Sequence, residues 1–182
     1  VSLHYSSSNP SYDYRLYFDS CSNVIFKDMG VLRTNGDYAI RIEGGCSNLD
    51  FRNGVFGNIY SSSSSVDTDI SIQNIVCQQI DLRGVSSSER TSGVIIRDNI
   101  INASKTADGS NSYWAVGLYN TSGALVKGND IDAFTGSTWS GGACTSPRSY
   151  GLYIERVDSL VVEDNDIYSR SDSYFNNCHH YY

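Results

Sequence analysis

Four short segments carry chemically capable side chains two residues apart: Tyr17 and Asp19, Arg41 and Glu43, Gly117 and Tyr119, Tyr153 and Glu155. In an extended chain, residues two apart share one face. Each pair therefore projects to one side, while Leu16/Phe18, Ile40/Ile42, Val116/Leu118 and Leu152/Ile154 project to the other. Rings, a guanidinium and carboxylates in one ladder are what a sugar-binding groove needs. Ring faces cover the C–H surfaces of a pyranose, and charged forks hold hydroxyls or uronic carboxylates. Two carboxyls about 5 to 5.5 Å apart support retaining glycoside hydrolysis, and about 6.5 to 9.5 Å apart inverting hydrolysis. Asp19, Glu43 and Glu155 are the candidate catalytic acids, and Tyr17, Arg41, Tyr119 and Tyr153 the candidate substrate contacts. The competing reading makes the same groups solvated decoration of a strand.

The elements that must position these residues come from a phrase of eight residues that recurs six times: Val24 to Val31, Leu49 to Phe56, Ile70 to Cys77, Val94 to Ile101, Ala124 to Ile131 and Leu160 to Ile167. Third positions are Phe26, Phe51, Ile72, Ile96, Val126 and Val162, and successive phrases start 25, 21, 24, 30 and 36 residues apart. Self-similarity at such a period marks a stacked-repeat architecture. Alternation within each phrase makes the unit a strand. The four segments above precede four of the phrases, so a coil reads strand, turn, strand, turn, short strand. Coils that follow one another in the same sense pair their strands in parallel and bury a continuous core that no single coil can bury. The sequence therefore predicts an all-β, single-stranded parallel β-helix of about six to seven coils, with equivalent residues about 4.8 Å apart in ladders.

The segment from Ser149 to Ile167 (SYGLYIERVDSLVVEDNDI) and that from Asp37 to Asn53 (DYAIRIEGGCSNLDFRN) resemble the repeat of right-handed parallel β-helix proteins of the pectate-lyase-like superfamily. The resemblance covers most of residues 15 to 182 and implies the right-handed fold. It is specific for fold and not for function, since the superfamily includes pectin-degrading lyases and hydrolases, epimerases, phage tailspikes and adhesins. In pectinase-like relatives the face of the first strand bears the substrate cleft. Individual enzyme signatures are missing. Polygalacturonase-like hydrolases carry Asp-Asp and His-Gly pairs, and this chain has neither; Tyr38 stands where the second acid would be. Pro147-Arg148 does not reproduce the Arg-x-Pro-x-x-Arg setting of pectate lyases, and His4, His179 and His180 lie at the ends.

Bulk properties narrow the partner. The 182 residues carry a formal charge of -7 with a pI near 4.7, which argues against nucleic acid. No run of 18 apolar residues spans a membrane. There is no initiator Met or signal pattern, and Phe175 to Tyr181 restarts the register of Phe18 to Val24. Residues 1–182 are accordingly expected to be one β-helix domain, uncapped at both ends and part of a longer chain or of an assembly, because an uncapped solenoid exposes a pairing edge. Tyr- and Ser-rich composition suits an extracellular, cell-surface or virion-surface setting.

Several columns of the repeat have structural readings. Asn99, Asn129 and Asn165 are expected to form a buried amide ladder. Tyr14, Tyr38, Trp114 and Tyr150 are expected to stack at the corner that opens the first strand. Cys21, Cys46 and Cys178 share one turn column as stacked free thiols or a bridge, Cys77 points into the core, and Cys144 lies in a loop. Lys27, Arg52, Gln73, Arg97, Lys127 and Glu163 form an outward, mostly basic column that either tracks an acidic polysaccharide or pairs with neighbouring acids. Ile25, Ile95, Leu125 and Val161 are expected to form an outward apolar patch covered by a loop or by another chain, as in a homotrimer or a continued β-helix. Long loops after Ser104 and Phe134 carry Trp139 and Arg148, further candidate substrate contacts. No cofactor is expected. Calcium is the one candidate ion, at Asp67/Asp69, Asp130/Asp132 or Glu163/Asp164/Asp166. Two functions remain open: an extracellular polysaccharide-recognising β-helix, tailspike-like or depolymerising, and a noncatalytic shaft or adhesin segment.

Overall fold

The computed structural model describes residues 16–31, 38–107, 113–137 and 149–172. Among them every strand pairs in parallel, and there is no helix. Three sheets share the chain. The first holds Leu16–Asp19, Tyr38–Glu43, Asn58–Ser61, Gln79–Arg83, Tyr113–Tyr119 and Ser149–Glu155, in that spatial order. The second holds the first halves of the six phrases and the third their ends, from Gly30–Val31 to Asp166–Asp172. The arrangement is compatible with a parallel β-helix.

The register follows the phrase residue for residue. Phe26, Phe51, Ile72, Ile96, Val126 and Val162 are successive partners in the second sheet. Most of the inward residues of all three sheets are fully buried, Phe18, Ile42, Phe51, Phe56, Ile80, Leu82 and Val116 among them. Phe18 and Phe51 meet edge to face at 5.5 Å, a geometry favoured by the ring quadrupole.

The turn from the second sheet to the third has its own code. The fifth residue of every phrase has positive φ, and the six are Asp28, Asn53, Asn74, Asp98, Gly128 and Asp164. Only Gly, Asn and Asp enter this left-handed region readily. One residue later sits the amide ladder. Asn99 Nδ2 donates to Ile72 O at 3.0 Å and to Asn129 Oδ1 at 2.9 Å, and Asn129 Nδ2 repeats the pattern to Ile96 O at 3.0 Å and Asn165 Oδ1 at 2.8 Å. Each Oδ1 also accepts a backbone N–H of the previous coil, from Ile75, Asn99 and Asn129.

Two expectations change. The first sheet has two strands beyond the four that the sequence marks, Asn58–Ser61 and Gln79–Arg83. Single residues, Gly57 and Gln78, join them to the preceding short strands, so no turn-rich stretch announces them. Nor do the four apolar residues of the second sheet form one patch, because Ile25 is followed in register by Asp50 and Ser71 before Ile95, Leu125 and Val161 are reached. A second outward apolar column, Val55, Val76 and Ile100, lies on the third sheet, 43%, 38% and 45% exposed. Cys21, Cys46 and Cys77 are free thiols, and Cys77 lies in the core. Tyr14, Trp139, Cys144, Arg148, Cys178 and the three histidines lie outside the described residues.

Candidate functional site

Parallel pairing sorts the outward side chains of the first sheet into two columns. One runs Tyr17, Arg41, Tyr60, Asp81, Gly117 and Tyr153. The other places Asp19 beside Glu43 at one end, and Arg83, Tyr119 and Glu155 in succession at the other. Tyr17, Arg41, Glu43, Tyr119, Tyr153 and Glu155 thus share one surface with Asp19, as the i, i+2 spacing predicts.

At the early end both oxygens of Glu43 are engaged. Tyr17 OH donates to Oε2 at 2.6 Å, and Arg41 Nη2 donates to Oε1 at 2.5 Å. Burial alone would raise the Glu43 pKa, but the hydrogen bonds from Arg41 and Tyr17 outweigh it and hold the carboxyl below its ordinary value, as expected when bonds favour the charged form. Asp19 is exposed and accepts Ser20 Oγ at 3.0 Å. Glu155 accepts Tyr153 OH at 3.1 Å and lies four strands from Glu43, about 19 Å at ordinary strand spacing. Asp19 and Glu43 are therefore the two candidate acids that adjacent strands bring together, and Glu155 stands apart.

The middle of the face is built by residues that the sequence reading passed over: Tyr60, Asp81 and Arg83. Arg83 Nε lies 3.1 and 3.2 Å from the two Asp81 oxygens, and Nη2 donates to Oδ2 at 2.8 Å. Asp81 is 2% exposed. Burial raises its pKa, and the Arg83 hydrogen bonds oppose the rise without cancelling it. The Arg83 guanidinium lies 4.7 Å from the Tyr119 ring centroid, 5.5 Å from Tyr60 and 5.8 Å from Trp114, all within cation–π range. Alternation in Gln79 to Arg83 is the one signal that marks this strand in the sequence.

The corner aromatics complete the surface by reaching onto it. Tyr38 stacks on Tyr60 at 4.2 Å. Trp114 packs against Tyr119 and Tyr153, each at 5.5 Å, and Tyr150 meets Tyr153 at 5.5 Å. Gly117 makes room for the indole, since a Cβ there would meet Trp114 Nε1 at 2.5 Å. Burial pushes the Tyr38 and Tyr119 phenols above their ordinary pKa, so both stay neutral donors at physiological pH. The result is a strip of part-exposed rings and paired charges, locked by its own contacts before any ligand arrives. Such preorganisation lowers the ordering cost of binding.

Other charged groups are paired as well. In the basic column Arg52 meets Asp50 at 3.1 Å, Arg97 meets Asp98 at 3.5 Å and Lys127 meets Glu163 at 2.7 Å. Among the described residues no three His, Cys, Asp or Glu side chains gather to hold a metal ion. Asp132, one of the calcium candidates, is paired with Arg170. Compared with known proteins, the chain matches no family model, no curated protein and no solved structure.

Proposed function

We propose that this protein is a polysaccharide-recognising β-helix of the right-handed, pectate-lyase-like kind, with six to seven coils, acting outside the cell or on a cell or virion surface. Its ligand lies across the first sheet, along the strip from Tyr17 to Glu155. The observation that carries the reading is the Arg83 guanidinium, clamped by Asp81 and packed against Tyr60, Trp114 and Tyr119 on a part-exposed face. Rings and polar forks in one rigid surface match the alternating C–H and hydroxyl faces of a sugar chain. The acids that adjacent strands bring together for cleavage are Asp19 and Glu43.

A glycan array with the whole chain tests this, repeated with Tyr119→Ala and with reducing-end release followed on every bound polymer. Binding that falls at least about tenfold in Tyr119→Ala, the loss of one stacking platform, supports the reading. Release that disappears in Glu43→Gln makes the protein a depolymerase. An array with no binding at all sinks the reading.

The outward apolar columns favour a second reading, a noncatalytic shaft. Ile95, Leu125 and Val161 on one sheet and Val55, Val76 and Ile100 on another suit packing between copies, as in a homotrimer, or against a continuation of the β-helix. A trimer in light scattering that Leu125→Glu disperses, together with an empty glycan array, would establish it.

A further inference from the structure

We infer that the first-sheet face selects neutral glycans and rejects anionic ones, because its guanidiniums are already held by its own carboxylates and carboxylates outnumber them. This rests on the reading of the face as a glycan site and names its ligand class. Among the described residues the strip contains two cations, Arg41 and Arg83, against four carboxylates, Asp19, Glu43, Asp81 and Glu155; a third guanidinium, Arg156 just past the last strand, lies 3.7 Å from Glu155, and the carboxylates still outnumber the cations. Arg41 lies against Glu43 at 2.5 Å and Arg83 against Asp81 at 2.8 Å.

A uronate or sulfate ester binds tightly where a guanidinium fork is available to replace its water. To take Arg83 for that purpose, a ligand must strip the cation from a carboxylate whose side chain is only 3% exposed, and an unpaired buried charge is strongly unfavourable. The outer carboxylates add repulsion over the whole approach, because a strip of one net sign steers like charges away. Neutral sugars meet none of this. Their C–H faces pack on Tyr119, Tyr150 and Tyr153, and their hydroxyls donate to Asp19 and Glu155, acceptors at the exposed edge of the strip. On the basic column of the second sheet Arg52, Arg97 and Lys127 each face an acid as well.

The test is a binding panel of neutral polymers (glucan, mannan, galactan) and anionic ones (polygalacturonate, a sulfated galactan). It uses the whole chain and the variants Asp19→Asn and Glu43→Gln. The expected result is neutral-polymer binding that changes less than about twofold when NaCl rises from about 0.05 to about 0.5 M, because no counter-charge is screened. Glu43→Gln, which removes the carboxylate charge beside Arg41, should raise anionic-polymer affinity at least about fivefold at low salt. Asp19→Asn, an exposed change that leaves the fold intact, should raise it by a smaller factor in the same direction. An unaltered chain that binds anionic polymers as well as neutral ones overturns the inference and leaves glycan recognition standing. A chain that binds neither class overturns recognition and this inference with it.

Discussion

Arg83 grips Asp81 through two nitrogens, with Nη2 at 2.8 Å from Oδ2, and the two differ sharply in exposure: the arginine side chain is 30% exposed and the aspartate 3%. Removing either partner should therefore have unequal effects. Arg83→Ala leaves a buried carboxylate without its cation and should destabilise the fold by about 3 kcal/mol at neutral pH. Asp81→Ala leaves a guanidinium that reaches water and should cost about 1 to 2 kcal/mol. The Arg83→Ala deficit should shrink on acidification, as protonation removes the stranded charge. Urea unfolding of both variants at two pH values checks the order and the trend; equal losses would show that the pair is solvent-screened.

The amide ladder should fail most severely at its middle rung. Asn129 bonds Ile96 O and Asn165 and accepts from Asn99, so Asn129→Ala strands polar groups in two coils and should cost about 3 to 4 kcal/mol. Asn165→Ala, on the last rung and partly exposed, should cost about half as much. Denaturation midpoints with unchanged m-values would establish the ranking.

Asp67 is fully buried, with Oδ1 accepting Cys46 N–H at 2.8 Å and Oδ2 without a hydrogen-bond partner. Burial lifts its pKa from 3.8 to about 6; the Cys46 N–H bond opposes the shift and the Glu43 charge adds to it. The folded chain thus holds this proton more tightly than the unfolded chain. The stabilisation it gives is complete below pH 3.8 and is lost as pH rises through about 6, a swing of about 3 kcal/mol. Asp67→Asn should match the parent near pH 4 and exceed it near pH 7.5 by about that amount. Parallel pH profiles of unfolding would expose a contrary result as a crossing or a constant offset.

Gly117→Ala puts a methyl group 2.5 Å from Trp114 Nε1 and 2.6 Å from Cδ1. The indole must move off the strip, with a loss of about 1 to 3 kcal/mol. A shift in tryptophan emission, together with weaker glycan binding, is the expected signature. Unchanged emission would mean that the backbone yields instead of the ring.

The sequence by itself determined the repeat, the parallel stacking and the register. Apolar residues recurring at fixed positions of a phrase leave few ways to bury them, and a one-residue slip would turn each strand inside out. It also determined the ladder of Asn99, Asn129 and Asn165, because amides at one column of a buried turn can satisfy each other only in that stack. The outward pairs at Tyr17, Arg41, Tyr119 and Tyr153 were legible for the same reason of alternation. Only the tertiary structure decided the centre of the site. Tyr60, Asp81 and Arg83 ride on strands joined to the preceding ones by single residues, Gly57 and Gln78, and local sequence gives no punctuation there. Whether an arginine is a free fork or a clamped one depends on the carboxylate beside it and on how much water reaches both. Arg83 and Asp81 are two apart in sequence, but the rings packed against the guanidinium come from Tyr60, more than twenty residues upstream, and from Trp114 and Tyr119, more than thirty residues downstream.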